Sequence, residues 1–310
     1  MTFDTSVGTP ASAPHRRSDD RMLDLLSTMA DDLMNRPVGD IDAVVYRTLG
    51  GVGEMFGVAR AYVFRFDAAA EHMSNTHEWC SIGTSAQIGE LQEVPTEGFP
   101  WWMTRLRAGR MIRLKTLDDL PAHAISERAI LEPQGIVSLL VLPMSYDGTL
   151  LGFVGFDHVR SSHAWTDTEV SMLRVCAAAF ASAFERRSLE RRLELANLVF
   201  ATAKEGMFTA DHDGIITEAN PACTTLTGVR PDRIVGMRVS ELLRPSASAA
   251  FMASIERHFA ISNEWTTEFV EQYADRAACP IRVTISASRG SDGTIQRMVG
   301  VFGRAAADAT

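Results

Sequence analysis

Apolar residues along this chain keep two rhythms in turn. Over residues 18–35, Leu23, Leu26, Met29, Ala30, Leu33 and Met34 stand three or four apart. That spacing predicts a helix with one apolar stripe, and Ser18, Asp19 and Asp20 offer side-chain oxygens to the unpaired N–H groups of its first turn. Asp40 opens a second helix that fades at Gly57. The period then falls to two. Residues 59–66 carry Tyr62, Phe64 and Phe66 on one face, and residues 73–80 alternate Met73, Asn75, His77 and Trp79 against Ser74, Thr76, Glu78 and Cys80, which predicts two strands. Residues 81–100, rich in Gly, Pro and polar side chains, form a long excursion ending in Phe99-Pro100-Trp101-Trp102, where Pro100 is placed to start a short helix. A short strand at 111–114 and a helix at 125–134 precede two apolar strands, 136–145 and 150–160, joined through Asp147-Gly148, a pair suited to the positive φ angles of a tight hairpin.

From 168 to 203 no Gly or Pro interrupts a helical pattern that runs for roughly 54 Å at 1.5 Å per residue. Leu173, Cys176, Phe180 and Ala183 keep one apolar series; Leu189, Leu193, Ala196 and Phe200 keep another, one residue out of register across residues 185–188. This predicts a coiled-coil seam with a skip, and Leu173, Phe180, Leu193, Ala196 and Phe200 are expected at the interface of a parallel homodimer. Beyond Gly206 the period returns to two for strands at 207–210 and 215–219. Asn220 then caps a helix with Pro221 at its first position and Gly228 at its end. Two short helices (230–235, 240–243), a longer one (246–259) and three strands (265–273, 281–288, 294–302) complete the pattern. The expected organisation is a disordered leader (1–17), a first domain (18–186), a linker helix (187–204), a second domain (205–304) and a tail (305–310). The fold class is α+β, two antiparallel-sheet domains joined by a long helix.

Composition narrows the function. The 310 residues are 46% apolar and 22% charged, which is ordinary globular composition. Thirty Lys and Arg against 39 Asp and Glu give a net charge of −9, so there is no basic surface for a phosphate backbone and no nucleic-acid partner is expected. The longest apolar run, residues 136–144, is far short of a bilayer span and no signal-peptide block opens the chain, so no membrane contact and a cytoplasmic location are expected. Cys80, Cys176, Cys223 and Cys279 form no C-x-x-C pair. His77 and Cys80 stand three apart on a strand and point to opposite faces, so no metal site is expected there. Asp211-His212-Asp213-Gly214 reads as a turn, because the Gly comes too early for a calcium loop. Gly51-Val52-Gly53 lies inside a helix instead of after a strand, which indicates close helix packing and not a dinucleotide fingerprint.

Residues 61–66 (Ala-Tyr-Val-Phe-Arg-Phe), 135–144 (Gly-Ile-Val-Ser-Leu-Leu-Val-Leu-Pro-Met) and 151–157 (Leu-Gly-Phe-Val-Gly-Phe-Asp) resemble a GAF domain of the kind found in bacterial multidomain sensors. Residues 213–222 (Asp-Gly-Ile-Ile-Thr-Glu-Ala-Asn-Pro-Ala), with Leu226-Thr227-Gly228 and Ile234-Val235-Gly236, resemble a PAS domain. The resemblance implies a signalling front end that binds a small ligand or partner and transmits its state through a helical dimer. It implies no catalytic residues, hence no enzyme, and a downstream signalling enzyme as a possible partner; a ligand-free scaffold, or the sensor half of a longer cyclic di-GMP enzyme or histidine kinase, are the alternatives. No cofactor is expected. Residues 236–241 lack the Cys of flavin-binding PAS domains, Phe251 stands about where a haem His would be, and Cys80 and Cys176 are poorly placed for a bilin. A GAF-type methionine-sulfoxide reductase would need more cysteines than these two. In the first domain Trp79, Trp101 and Trp102, with Arg105 and His77, are the candidate ligand residues, aromatic walls beside a cation being suited to a flat or anionic molecule. In the second domain the candidates are Met207, Phe251, Ile255 and Trp265.

Overall fold

The computed structural model describes residues 13–243, 248–259, 261–272 and 277–305. The chain forms two compact units, Met1–Glu190 and Arg191–Thr310. In the first, α1 (Ala13–Asn35) and α2 (Ile41–Phe56) lead into β1 (Arg60–Phe66) and β2 (His72–Cys80). There follow β3 (Val94–Pro95), α3 (Pro100–Arg107), β4 (Ile112–Leu114), α4 (Ile125–Leu131), β5 (Ser138–Tyr146), β6 (Thr149–His158) and the long α5 (Asp167–Thr202). α1 thus starts at Ala13, inside the segment expected as a disordered leader. The six strands form one antiparallel sheet in the order β3-β2-β1-β6-β5-β4.

Both faces of this sheet are covered, and the period-two pattern divides its side chains between two cores. Ala61 and Val63 of β1, with Leu140, Leu142 and Met144 of β5, pack under α1, α2 and α5. Tyr62 and Phe64, with Leu139 and Val141, enter a second core with Trp102 and Leu106 of α3 and Leu131 of α4. Asp147 and Gly148 turn the β5–β6 hairpin at φ +46° and +76°, as their sequence predicts. The helical glycines are seats for close neighbours: a Cβ at Gly53 would lie 2.2 Å from the Trp79 ring, and one at Gly51 would lie 2.8 Å from Leu25 of α1.

α5 changes character along its length. Val170, Leu173, Ala177, Phe180, Phe184 and Arg187 are buried, and the apolar members of this stripe join the core beneath the sheet. Leu173 and Phe180 are therefore interior residues of one chain, which corrects their assignment to a seam between two. The register change near residues 185–188 marks the end of this buried face. Beyond it Leu193 is 63% exposed and Leu195, Leu198 and Val199 are exposed as well, Ala196 is exposed and Phe200 is half-buried.

The second unit contains β7 (Gly206–Asp211), β8 (Ile216–Ala219), α6 (Pro221–Thr227), α7 (Pro231–Ile234), α8 (Val239–Leu243), α9 (Ser248–Phe259), β9 (Glu264–Glu271), β10 (Cys279–Arg289) and β11 (Ile295–Arg304). Its antiparallel sheet runs β8-β7-β11-β10-β9. Phe208, Ala210, Val283, Ile285 and Phe302 face a core completed by Leu242, Ile255 and Phe259 from the helices. Asn220 fixes the start of α6 as expected: its Oδ1 accepts from Cys223 N at 3.2 Å and from Met207 N at 2.9 Å, and its Nδ2 donates to Glu205 O at 2.9 Å. Gly228 ends α6 at φ +74°. Among the described residues no helix is long and apolar enough to cross a membrane.

Candidate functional site

One extra residue in β2 decides which of its side chains meet the first unit's second core. Val63 pairs with His77 and Phe64 with Asn75, so Thr76 has no partner residue on β1 and forms a β-bulge. Its hydroxyl turns back to Val63 O at 3.3 Å and to His77 Nδ1 at 2.9 Å. The alternation changes phase at this point. Met73, Asn75 and Glu78 face a cavity on the side of α3 and α4, whereas His77 and Trp79 face α2 and α5.

The cavity offers about 50 Å³ to the centre of a water molecule, where a single water needs roughly 10–15 Å³ on that measure. Its apolar wall includes Phe64 and Phe153, stacked at 4.8 Å, and Trp102, whose ring stands edge-on to Phe153 at 6.0 Å. Trp102 is held by Glu127 of α4, whose Oε1 accepts from Trp101 N at 2.9 Å and Trp102 N at 3.1 Å; this carboxylate caps α3, which has no side-chain cap of its own.

The polar wall is built from strand ends. Arg60 opens β1 and Asp157 lies near the end of β6; both are buried, with Arg60 Nε 3.7 Å from Asp157 Oδ2. Tyr62 donates to Asp157 Oδ1 at 2.9 Å, lying so close to β6 that a Cβ at Gly155 would come within 2.1 Å of its ring. Burial lifts the Asp157 carboxyl to about 7 against the pull of Arg60, and burial beside Asp157 pushes the Tyr62 phenol well above its usual range. Glu78 Oε2 accepts from the backbone of Gln87 at 2.7 Å and Ile88 at 2.9 Å, tying down the excursion. Asn75 is 1% exposed, yet neither its Oδ1 nor its Nδ2 has a hydrogen-bond partner. Arg60 Nε and Nη1 and Trp102 Nε1 are likewise unpartnered. Buried polar atoms are almost always paired, so this concentration of open groups makes the cavity the candidate site of the first unit.

Of the five residues singled out from the sequence in this domain, the structure puts only Trp102 in the cavity wall. His77 and Trp79 lie across the sheet because of the bulge, a correction to the expected aromatic cluster. Trp101 is half-buried, with the Arg105 guanidinium 5.5 Å from its ring, and Arg105 donates to Met111 O at 3.2 Å; neither lines the cavity. In the second domain Ile255 and Trp265 are core residues, and Trp265 Nε1 donates to Ser254 Oγ at 3.3 Å. Met207 alternates to the other face of β7, away from them. The side chain of Phe251 lies outside the described residues. Asn75, Arg60 and Asp157 were missed; for the last two the available signal was a charge near one end of an apolar run, Arg60 in 59–66 and Asp157 in 150–158.

Across the sheet, His77 Nε2 meets Asp42 Oδ1 at 2.9 Å, and Arg187 Nη1 donates to the same oxygen at 2.6 Å. Although partial burial opposes it, Arg187 and His77 hold the Asp42 carboxyl below its ordinary range. Burial keeps the His77 imidazole below its own, despite Asp42. Arg187 is the last buried residue of α5, so the bulge touches the cavity on one side and the end of the helix's buried face on the other.

A six-stranded antiparallel sheet helix-covered on both faces, followed by a five-stranded antiparallel sheet, has the fold of two sensory-type domains in tandem. The chain carries a GAF domain, matched over residues 40–184, and a PAS domain, matched over residues 204–302. It is similar to the methanogenesis regulatory histidine kinase FilI of Methanothrix harundinacea (strain 6Ac), 30% identical over 189 residues that make up 56% of this chain and 21% of that protein. The chain thus spans about a fifth of that relative's length. Among solved structures, the GAF domain of a phosphoenolpyruvate-protein phosphotransferase from Coxiella burnetii is 17% identical with a TM-score of 0.46, covering 56% of this chain and 98% of that one. A PAS domain from Colwellia psychrerythraea is 18% identical with a TM-score of 0.34, covering 36% and 96%.

Proposed function

We propose that this GAF–PAS module senses a small molecule in the GAF cavity and passes its occupancy to α5. The observation that carries the reading is the bulged segment of β2: Asn75 and Glu78 line the cavity, and His77, between them, reaches Arg187 of α5 through Asp42. A ligand that draws on Asn75 shifts the bulge, and the shift is felt where the helix loses its buried face. The exposed Leu193 and Ala196 and the half-buried Phe200, three and four residues apart on one helix face, then serve as the pairing surface of a parallel homodimer, since leaving a side chain such as Leu193 in water forgoes roughly 1.5–3 kcal/mol. The output is a separate activity, with no catalysis by these two domains. Similarity to a histidine kinase over a fifth of its length favours a histidine kinase as the downstream enzyme, acting in the cytoplasm.

Asp42→Ala removes the shared acceptor of His77 and Arg187. It is expected to speed hydrogen exchange at the α5 amides around Arg187 while those of β5 and β6 stay protected; unchanged α5 exchange would break the route. Leu193→Glu with Phe200→Glu is expected to move the mass measured by light scattering from dimer to monomer with circular dichroism unchanged. A monomeric wild type at tens of micromolar would remove the dimer from the proposal.

A further inference from the structure

The open groups of the cavity differ in kind. Asn75 Nδ2, Arg60 Nη1 and Trp102 Nε1 are donors without a hydrogen-bond acceptor, Arg60 Nε has only the ion-pair contact with Asp157, and Asn75 Oδ1 is an acceptor lacking a donor; all belong to residues no more than 4% exposed. A molecule that satisfies them brings acceptor lone pairs for several donors and at least one N–H or O–H; an amide edge supplies both kinds side by side, matching the adjacent oxygen and nitrogen of Asn75. Charge narrows the choice. Arg60 already stands beside Asp157, and Glu78 adds a second acidic group to the lining, so the guanidinium is matched by the chain's own acids and is not free to hold an anion. A cation would face the Arg60 guanidinium, and the carboxylate oxygens Asp157 Oδ1 and Glu78 Oε2 are already taken by Tyr62 and by the backbone of Gln87 and Ile88, which leaves Asn75 Oδ1 as the unpaired acceptor among the buried side-chain atoms of this lining. The aromatic walls of Phe64, Phe153 and Trp102 suit a flat ring.

Building on the reading of this cavity as a small-molecule site, we propose that its ligand is a small, planar, uncharged molecule with a carboxamide or lactam edge. The ligand's N–H donates to Asn75 Oδ1 and its C=O accepts from Asn75 Nδ2; Arg60 and Trp102 supply donors to the remaining carbonyl lone pairs. The affinity comes largely from relieving groups that the empty fold leaves buried and unpaired.

Benzamide, benzoate, benzamidine and toluene share one ring and differ in the charge and hydrogen bonding of the substituent. Titrated into the full chain and followed by tryptophan fluorescence and Tm, benzamide is expected to bind about tenfold more tightly than each of the other three. Asn75→Leu is expected to abolish most of that advantage and leave toluene binding no weaker. Benzoate or benzamidine matching benzamide, or toluene alone binding, would overturn the amide assignment while leaving the cavity a small-molecule site. Binding by none of the four up to their solubility would overturn both readings. Should Asn75→Leu fail to fold, Asn75→Asp keeps the side-chain shape, loses the donor, and is read against benzamide in the same way.

Discussion

Asn75 in the GAF domain and Asn220 in the PAS domain are the same residue at nearly the same burial, 1% and 2% exposed. Asn220 spends its amide on the fold: two backbone N–H groups reach its oxygen and its nitrogen reaches a carbonyl, joining the start of β7 to the first turn of α6. Asn75 spends only its backbone, its N–H donating to Leu91 O at 2.8 Å and its carbonyl accepting from Gln92 Nε2 at 2.7 Å, while its side-chain amide, on a residue lining the cavity, has no partner. Burial alone therefore says little about what a polar side chain is for. A buried amide with every partner inside the chain is architecture; one with none is a standing free-energy cost that a ligand can remove.

The largest effect that sharpens this comparison is expected at Asn220. Asn220→Leu removes three hydrogen bonds and takes the side-chain acceptor from Met207 N–H, while Cys223 N–H keeps the Asn220 carbonyl at 3.0 Å, and should lower PAS-domain stability by about 3 kcal/mol in urea unfolding. A loss much smaller than that would erase the distinction from the PAS side.

Next in size is a pH effect on the GAF side, where the neighbours Asp157 and His158 oppose each other. Burial, aided by the charge of the stacked His163 ring 4.7 Å away, holds His158 down to about 4. Between pH 6.5 and 4 the unfolded chain takes up a proton that the fold refuses, so His158 makes stability fall as pH falls through that window. Asp157, raised to about 7 chiefly by burial, keeps a proton that the unfolded chain releases above 3.8, so its contribution falls as pH rises from 3.8 to 7. Asp157→Asn leaves His158 unopposed, and GAF unfolding should then lose about 2 kcal/mol on acidification across the His158 window, against a flatter wild type. An equally flat profile in the variant would mean that Asp157 is not the compensating group.

The smallest effect has the opposite sign to the first. Asn75→Leu exchanges an unpaired buried amide for a side chain of similar size and should raise the GAF melting free energy by about 1 kcal/mol without ligand. A destabilisation comparable to that of Asn220→Leu would show that Asn75 is structural after all.

Much of the fold was legible because local chemistry and tertiary need agree. The Asp147-Gly148 hairpin, the Asn220-Pro221 start and the Gly228 stop each follow from backbone angles that few other residues supply. The site was less legible, for two separate reasons. Alternation carried across β2 without Thr76 taken out puts His77 and Trp79 on the face of Met73, and only pairing with β1 reveals the extra residue. The stripe of Leu173 and Phe180 on α5 is the same whether the surface opposite is the chain's own sheet or a second copy, so spacing could not tell core from seam. Asn75 itself carries no sequence mark, because what distinguishes it is a missing partner.

The bulge at Thr76 also bears on the history of this strand. Gain or loss of one codon inside a strand ordinarily inverts every side chain beyond it, which exchanges the two cores of a sheet covered on both faces. Here the additional residue is absorbed locally, and removing it would return β2 to strict alternation with Asn75 and Glu78 still on one side and His77 and Trp79 still on the other. Position 76 is thus a place where a gene for this domain can shorten by three nucleotides while its cavity keeps the same lining.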